Sequence, residues 1–273
     1  MNGIRGEISD RAALLLVGHG TRDDVGRAQF FDLANRLSQR LKPCPVEPAF
    51  LELATPTIDE AVGRLLNRGI DRLFTMPLLL FAAGHAKDDI PAAIRDALGR
   101  RGRLGVDSVQ AAHLGCHPAL VALSQQRLKE ALRQADGDLS WQNRDSTCHL
   151  LVGRGSRDES ATAEMHEFAR LCAETTCQPT DVAFLAMASP SLAEQLRNLP
   201  LRGYPRIVVQ PHLLFCGELV EVISRQVDQA KVEYPRVQWL TAKPLADPLG
   251  VSGPASQFLE TVILDRCLAC RST

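Results

Sequence analysis

The chain repeats itself. Residues 14–23, LLLVGHGTRD, return at 149–158 as HLLVGRGSRD, an offset of 135 residues in a chain of 273. FLELATPT at 50–57 is echoed by FLAMASPS at 184–191, and PLLLF at 77–81 by PHLLF at 211–215, both offset by 134. A repeat of this length divides the chain into two duplicated domains, expected to span 1–140 and 141–273. The polar stretch DGDLSWQNRDST at 136–147 is the natural linker between them.

Each half alternates short apolar runs with longer helical patterns. Strands are expected at 12–17, 45–52, 71–77 and 105–112, and again at 148–152, 179–186, 206–211 and 236–241. Helices are expected between them, at 26–41, 57–68 and 87–100, and after Pro118. Strand–helix alternation implies an α/β fold: in each half a four-stranded parallel sheet flanked by helices, with right-handed crossovers.

The repeat also shows where the halves part. His19 is replaced by Arg154 and Glu52 by Ala186. His85 meets Leu219 or Glu218, depending on a one-residue gap. Ligands of open parallel sheets bind beyond the carboxyl ends of the strands. His19 follows the first strand, Glu52 closes the second and His85 lies in the loop after the third, so all three fall at one edge of one sheet. Two imidazoles and a carboxylate suit a divalent first-row transition metal, Co²⁺, Fe²⁺, Ni²⁺ or Zn²⁺. They also serve as proton acceptors. Histidine after a strand is more often a loop or capping residue; three such donors at one edge, absent from the sister copy, reverse those odds. The GHGTRD loop is neither a Walker A loop nor a dinucleotide fingerprint. Its Thr21 and Asp23 read equally well as caps of the following helix.

Charge excludes some partners. With 31 basic and 32 acidic residues the net charge is −1, which provides no electrostatic case for nucleic acid or an anionic membrane. The apolar runs are too short to span a bilayer. The opening MNGIRGEISDR is polar and unlike a signal peptide, so a cytoplasmic location is expected. Eight cysteines in a chain this long read as reduced thiols. Nothing in the residues specifies an oligomeric state.

LLLVGHGTRD, then FLELATPTIDEAV, then PLLLF leading to GHAKDDIP, closely resembles the class II chelatases. More narrowly, it resembles the long, two-domain sirohydrochlorin chelatases of the CbiX type. The resemblance implies two such domains facing each other across a cleft that holds the tetrapyrrole, the second a degenerate copy. It implies insertion of Co²⁺ into sirohydrochlorin for cobalamin synthesis; relatives insert Fe²⁺ for sirohaem, or Ni²⁺. His19 and His85 match the family's active-site histidines and Glu52 its acidic residue, as metal ligands and catalytic bases. The macrocycle exposes its pyrrole nitrogens, the metal enters, and two N–H protons leave; tight chelation makes an external energy source unnecessary. A carboxylate-rich substrate needs cations, for which Arg154 is the first candidate and Arg22 and Lys87 weaker ones. His113 and His117, in HLGCHP, are accessory-ligand candidates that read more simply as loop residues. Cys267-Leu-Ala-Cys270 matches the CxxC tail proposed in long CbiX-type proteins to carry an iron–sulfur cluster, although a cluster wants about four thiolates and one tail supplies two. A competing reading is a carrier that binds metal or tetrapyrrole without turnover.

Overall fold

A computed structural model describes residues 11–81, 88–136, 147–246 and 254–270. The first sheet is built from β1 (Ala12–Gly18), β2 (Val46–Phe50), β3 (Arg72–Pro77) and β4 (Asp107–Gln110), ordered β2-β1-β3-β4 with every pair parallel. The second uses β5 (Thr147–Gly153), β6 (Thr180–Phe184), β7 (Arg206–Pro211) and β8 (Gln238–Thr241), ordered β6-β5-β7-β8, again all parallel. The registers match as the repeat predicts. Leu14 stands opposite Val46 and Phe74, and His149, its counterpart, opposite Thr180 and Val208.

The intervening helices are α1 (Asp24–Arg40), α2 (Ile58–Asn67), α3 (Ile90–Arg100), α4 (Pro118–Asp136), α5 (Glu159–Thr176), α6 (Leu192–Leu201), α7 (Glu218–Glu233) and α8 (Pro254–Ala269). β1 and β5 are buried along their whole length, which is why both read as unbroken apolar runs rather than alternating ones. On one face, Leu15 and Val17 of β1 share a core with Val62 and Leu65 of α2 and Ile94 and Leu98 of α3. Leu150 and Val152 of β5 share the matching core with Leu196 of α6 and Ile223 and Val227 of α7.

Local chemistry is duplicated too. Thr57 and Glu60 form a capping box at the start of α2, and Ser191 and Glu194 form the same box at the start of α6. Each box satisfies two helix N–H groups that would otherwise lack partners.

The compact units do not follow the repeat boundary. One comprises residues up to Leu114 together with Glu260–Thr273; the other runs from Gly115 to Leu259. The helix closing the first half, α4, therefore lies in the second unit, and α8 lies in the first unit from Glu260 onward. In the second unit Leu128, Ala131 and Leu132 of α4 pack with Val208 of β7 and Ala242. In the first, Glu260 of α8 is gripped by Arg36 and Arg40 of α1, at 3.2 and 3.0 Å. Sequence repetition divides the chain near 140, whereas the compact units divide after Leu114 and the first resumes at Glu260.

Candidate active site

β1 and β2 end side by side, and their ladder continues one step into the loops. The Leu51 N–H donates to Gly18 O at 2.9 Å, and the Glu52 N–H to His19 O at 3.0 Å. That step sets the two side chains next to each other. His19 Nδ1 lies 3.2 Å from Glu52 Oε1, with the side chains 26% and 49% exposed. The contact is within ion-pair range.

Two glycines make this approach feasible. A Cβ on Gly18 would stand 3.1 Å from the Phe30 ring, and one on Gly20 only 1.8 Å from the Glu52 carbonyl oxygen. Gly20 also has φ of 109°, a conformation natural only to glycine. Beneath the loop Phe30, Phe31 and Phe50 form an aromatic cluster with ring centroids 4.5–5.8 Å apart. The Phe-Phe pair on the helix after GHGTRD was its only trace in the sequence.

Thr21 and Asp23 have structural duties. The Asp23 N–H donates to Thr21 Oγ1, and Asp23 Oδ1 accepts from the Gly26 N–H as the cap of α1. Ser156 and Asp158 do the same ahead of α5. Thr21 and Asp23 thus pin the end of the loop to the start of α1.

The second unit keeps this scaffold and changes the side chains. The Leu185 N–H donates to Gly153 O and the Ala186 N–H to Arg154 O, both at 3.0 Å. A Cβ on Gly155 would again meet a carbonyl oxygen, that of Ala186, at 1.8 Å. Arg154 is exposed at the position equivalent to His19.

Other predicted positions fall as follows. His85 and Lys87 lie outside the described residues. Among the described residues no three His, Cys, Asp or Glu side chains gather as a metal-ligating group. Arg22 is exposed in the loop before α1. His117 caps α4, its Nδ1 accepting from the Ala119 N–H at 3.2 Å. His113 is half-buried after β4.

The Cys267–Cys270 pair does not fit a four-thiolate cluster. It supplies two thiols, and among the described residues no third His, Cys, Asp or Glu side chain joins them as a ligand group. Cys270 donates to the carbonyls of Gln110 and Arg266, at 3.6 and 3.2 Å. Both cysteines belong to the packing of α8 in the first unit.

Fold and site together define a duplicated α/β protein with a preformed imidazole–carboxylate pair in one copy. The CbiX family model matches residues 13–131 and 148–252, and the chain belongs to that family. It is 30% identical to a sirohydrochlorin ferrochelatase of Priestia megaterium, over 94% of this chain and 92% of the relative. It is 26% identical to a sirohydrochlorin cobaltochelatase of the same organism, over 84% of this chain and 73% of the relative. Among solved structures, SirB from Bacillus subtilis with Fe³⁺ superposes with a TM-score of 0.78 at 24% identity, covering 95% of each chain. No helix among the described residues is long and apolar enough to cross a membrane.

Proposed function

We propose that this protein is a sirohydrochlorin chelatase, a lyase that inserts a divalent metal into the tetrapyrrole. The observation that carries the reading is the 3.2 Å separation of His19 Nδ1 and Glu52 Oε1 in a member of the CbiX family. Bonds from nitrogen and oxygen donors to a first-row metal are ~2.0–2.2 Å long. Two donors 3.2 Å apart therefore subtend about 100° at a shared metal, between the octahedral and tetrahedral angles. The pair is pre-spaced as adjacent ligands, and its partial exposure admits the incoming ion.

In the reaction a dication enters the macrocycle and two pyrrole protons leave, so charge is conserved. His19 and Glu52, with His85 as the third member, hold the metal before transfer and accept protons as it moves. Three protein donors at most leave coordination positions open to the pyrrole nitrogens. Arg154, standing where the second copy lost its histidine, pairs with substrate carboxylates, and Arg22 and Lys87 supply weaker charge.

Two metals are supported as substrate. Co²⁺ matches the cobaltochelatase relative; Fe²⁺ matches the relative aligned over nearly its full length. An imidazole–carboxylate set binds both, so delivery and pathway decide the choice.

The test is an anaerobic absorbance assay of sirohydrochlorin with substoichiometric protein, offered Co²⁺, Fe²⁺ and Ni²⁺ in turn against protein-free controls. Many turnovers per chain are expected, and their rates rank the metals. A spectral change that stops at one equivalent indicates a carrier and removes the catalytic role from His19 and Glu52.

A further inference from the structure

β1 and β2 end on the pair Gly18 and Phe50, the last in register before the step that joins His19 to Glu52. The Phe30 ring of α1 packs against both members of that pair. Its centroid lies 4.5 Å from that of Phe50. The three atoms nearest to a Cβ on Gly18 would all belong to the Phe30 ring, at 3.1, 3.4 and 3.5 Å. Both rings are buried, and a close-packed interior lets them shift little.

The second unit keeps the scaffold and changes this support. Gly153 pairs with Phe184 as Gly18 does with Phe50. The residue equivalent to Phe30 is Met165, and that equivalent to Phe31 is His166. A Cβ on Gly153 would stand 3.6 Å from Phe184 and 3.7 Å from Met165, at ordinary contact distance. Methionine is an unbranched chain that adapts to the space around it, whereas a phenylalanine ring is flat and rigid. Duplication accounts for what the copies share and not for this difference. Nor does the fold need the ring, since Met165 fills its place, buried, beside strands of the same register. The rigid residue stands in the copy that keeps His19 and Glu52, and the adaptable one in the copy that has Arg154 and Ala186 instead.

We propose that Phe30 is a positioning residue for the metal-holding pair: its ring braces the last rung of the β1–β2 ladder and so fixes the spacing of His19 and Glu52 one step beyond. The proposal rests on the chelatase reading and adds to it a residue that acts through the two ligands without touching the metal. The spacing is sensitive to small movements. From 3.2 Å, a parting of ~1 Å would drive the two donors to opposite sides of a shared metal and close the face that must stay open to the macrocycle. A rigid ring wedged behind both strand ends opposes that movement; a methionine yields to it.

The experiment uses the full chain carrying Phe30→Met, the exchange the second unit already accommodates, or Phe30→Leu. Leu37→Val, at a fully buried position two turns further along α1, controls for packing of the helix. Co²⁺ alone is titrated by its visible absorbance, and the part of the signal lost in His19→Ala marks the site of the pair. Insertion into sirohydrochlorin gives kcat and KM. Both Phe30 variants are expected to weaken the His19-dependent Co²⁺ Kd and to lower kcat about tenfold, as disturbing the shell behind a metal ligand does. KM for the tetrapyrrole should change less than twofold, because the ring does not meet the macrocycle. Leu37→Val is expected to lower the melting temperature and yet leave the Co²⁺ Kd within twofold of wild type. Wild-type Co²⁺ affinity in both Phe30 variants overturns the proposal. So does an equal weakening in Leu37→Val, which would make the effect one of general packing. A wild-type chain with no His19-dependent Co²⁺ signal overturns it as well. A wild-type chain that binds Co²⁺ at the pair without turnover overturns the chelatase reading alone, and the Kd comparison still decides the role of Phe30.

Discussion

Arg127 of α4 donates from Nε and Nη2 to the carbonyl oxygen of Leu245, at 3.2 and 2.9 Å, from a completely buried position. Its Nη1 also donates to Glu130 at 3.0 Å, so the guanidinium is compensated. Arg266 of α8 repeats the clamp in the first unit, donating to Leu114 O at 2.9 Å. Leu114 and Leu245 are equivalent: their N–H groups bond Leu79 and Leu213, which the repeat pairs. In each unit, then, an arginine from the other half's closing helix fastens the loop after the fourth strand.

Arg127→Met is expected to lower stability by about 2 kcal/mol, because it leaves the Leu245 carbonyl buried without its donor. The melting temperature should fall by roughly 4–8 °C. Arg266→Met, removing one bond from a less buried site, should cost about half as much. Urea or thermal unfolding compares the two; equal small shifts would mean that neither clamp matters.

His19→Ala, Glu52→Gln and His85→Ala should each slow insertion by about 10²-fold or more; the His19 and Glu52 side chains are partly exposed, so their loss should leave the fold intact. Steady-state rates beside circular dichroism give the check. Wild-type turnover in any of them removes that residue from the site.

Gly20→Ala and Gly155→Ala separate scaffold from chemistry. Each drives a Cβ to 1.8 Å from a carbonyl oxygen and strains a positive φ, so both should lose about 2 kcal/mol or more. Only Gly20→Ala also displaces Glu52 from His19. Its turnover, measured well below its melting temperature, should fall at least tenfold further than that of Gly155→Ala.

Arg154→Ala should raise KM for the tetrapyrrole roughly three- to tenfold while changing kcat little, as loss of a charge-assisted contact made throughout the reaction does. An unchanged KM takes Arg154 out of substrate binding.

Acid should unfold the second unit first. Burial holds His149 at about 4 and, with the neighbouring His149, His212 at about 3, both below the ordinary 6.5. The folded state keeps these rings neutral while the unfolded chain protonates them. Their contribution is intact above pH 6.5 and is lost as pH falls toward 4, by on the order of 3 kcal/mol each. His149 Nε2 pairs with Gln210 Oε1 at 2.9 Å, and Gln210 Nε2 donates to Ser124 Oγ at 2.8 Å. The first unit has Leu14 and Met76 at the two matching strand positions. Joint His149→Leu and Gln210→Met substitution should therefore flatten the loss of melting temperature between pH 7 and 4.5. A slope equal to wild type places the acid sensitivity elsewhere.

Much of this protein was legible in its residues. Apolar runs of strand length between helical patterns specify parallel α/β units, because each strand buried on both faces must be apolar throughout. The repeat specifies duplication, and strand ends specify the edge where His19 and Glu52 emerge. These features depend on neighbours within a few residues or on copying. The ownership of α4 and α8 does not. Their amphipathic patterns suit either sheet, and only the fit of side chains distant in sequence, such as Arg127 against Leu245 and Glu260 against Arg36, selects one. The same holds for the 3.2 Å spacing of His19 and Glu52, set by a ladder step between two strands, and for the positive φ of Leu53 and Met187, 63° and 61°. Periodicity and composition carry no record of a backbone conformation that the surrounding fold imposes.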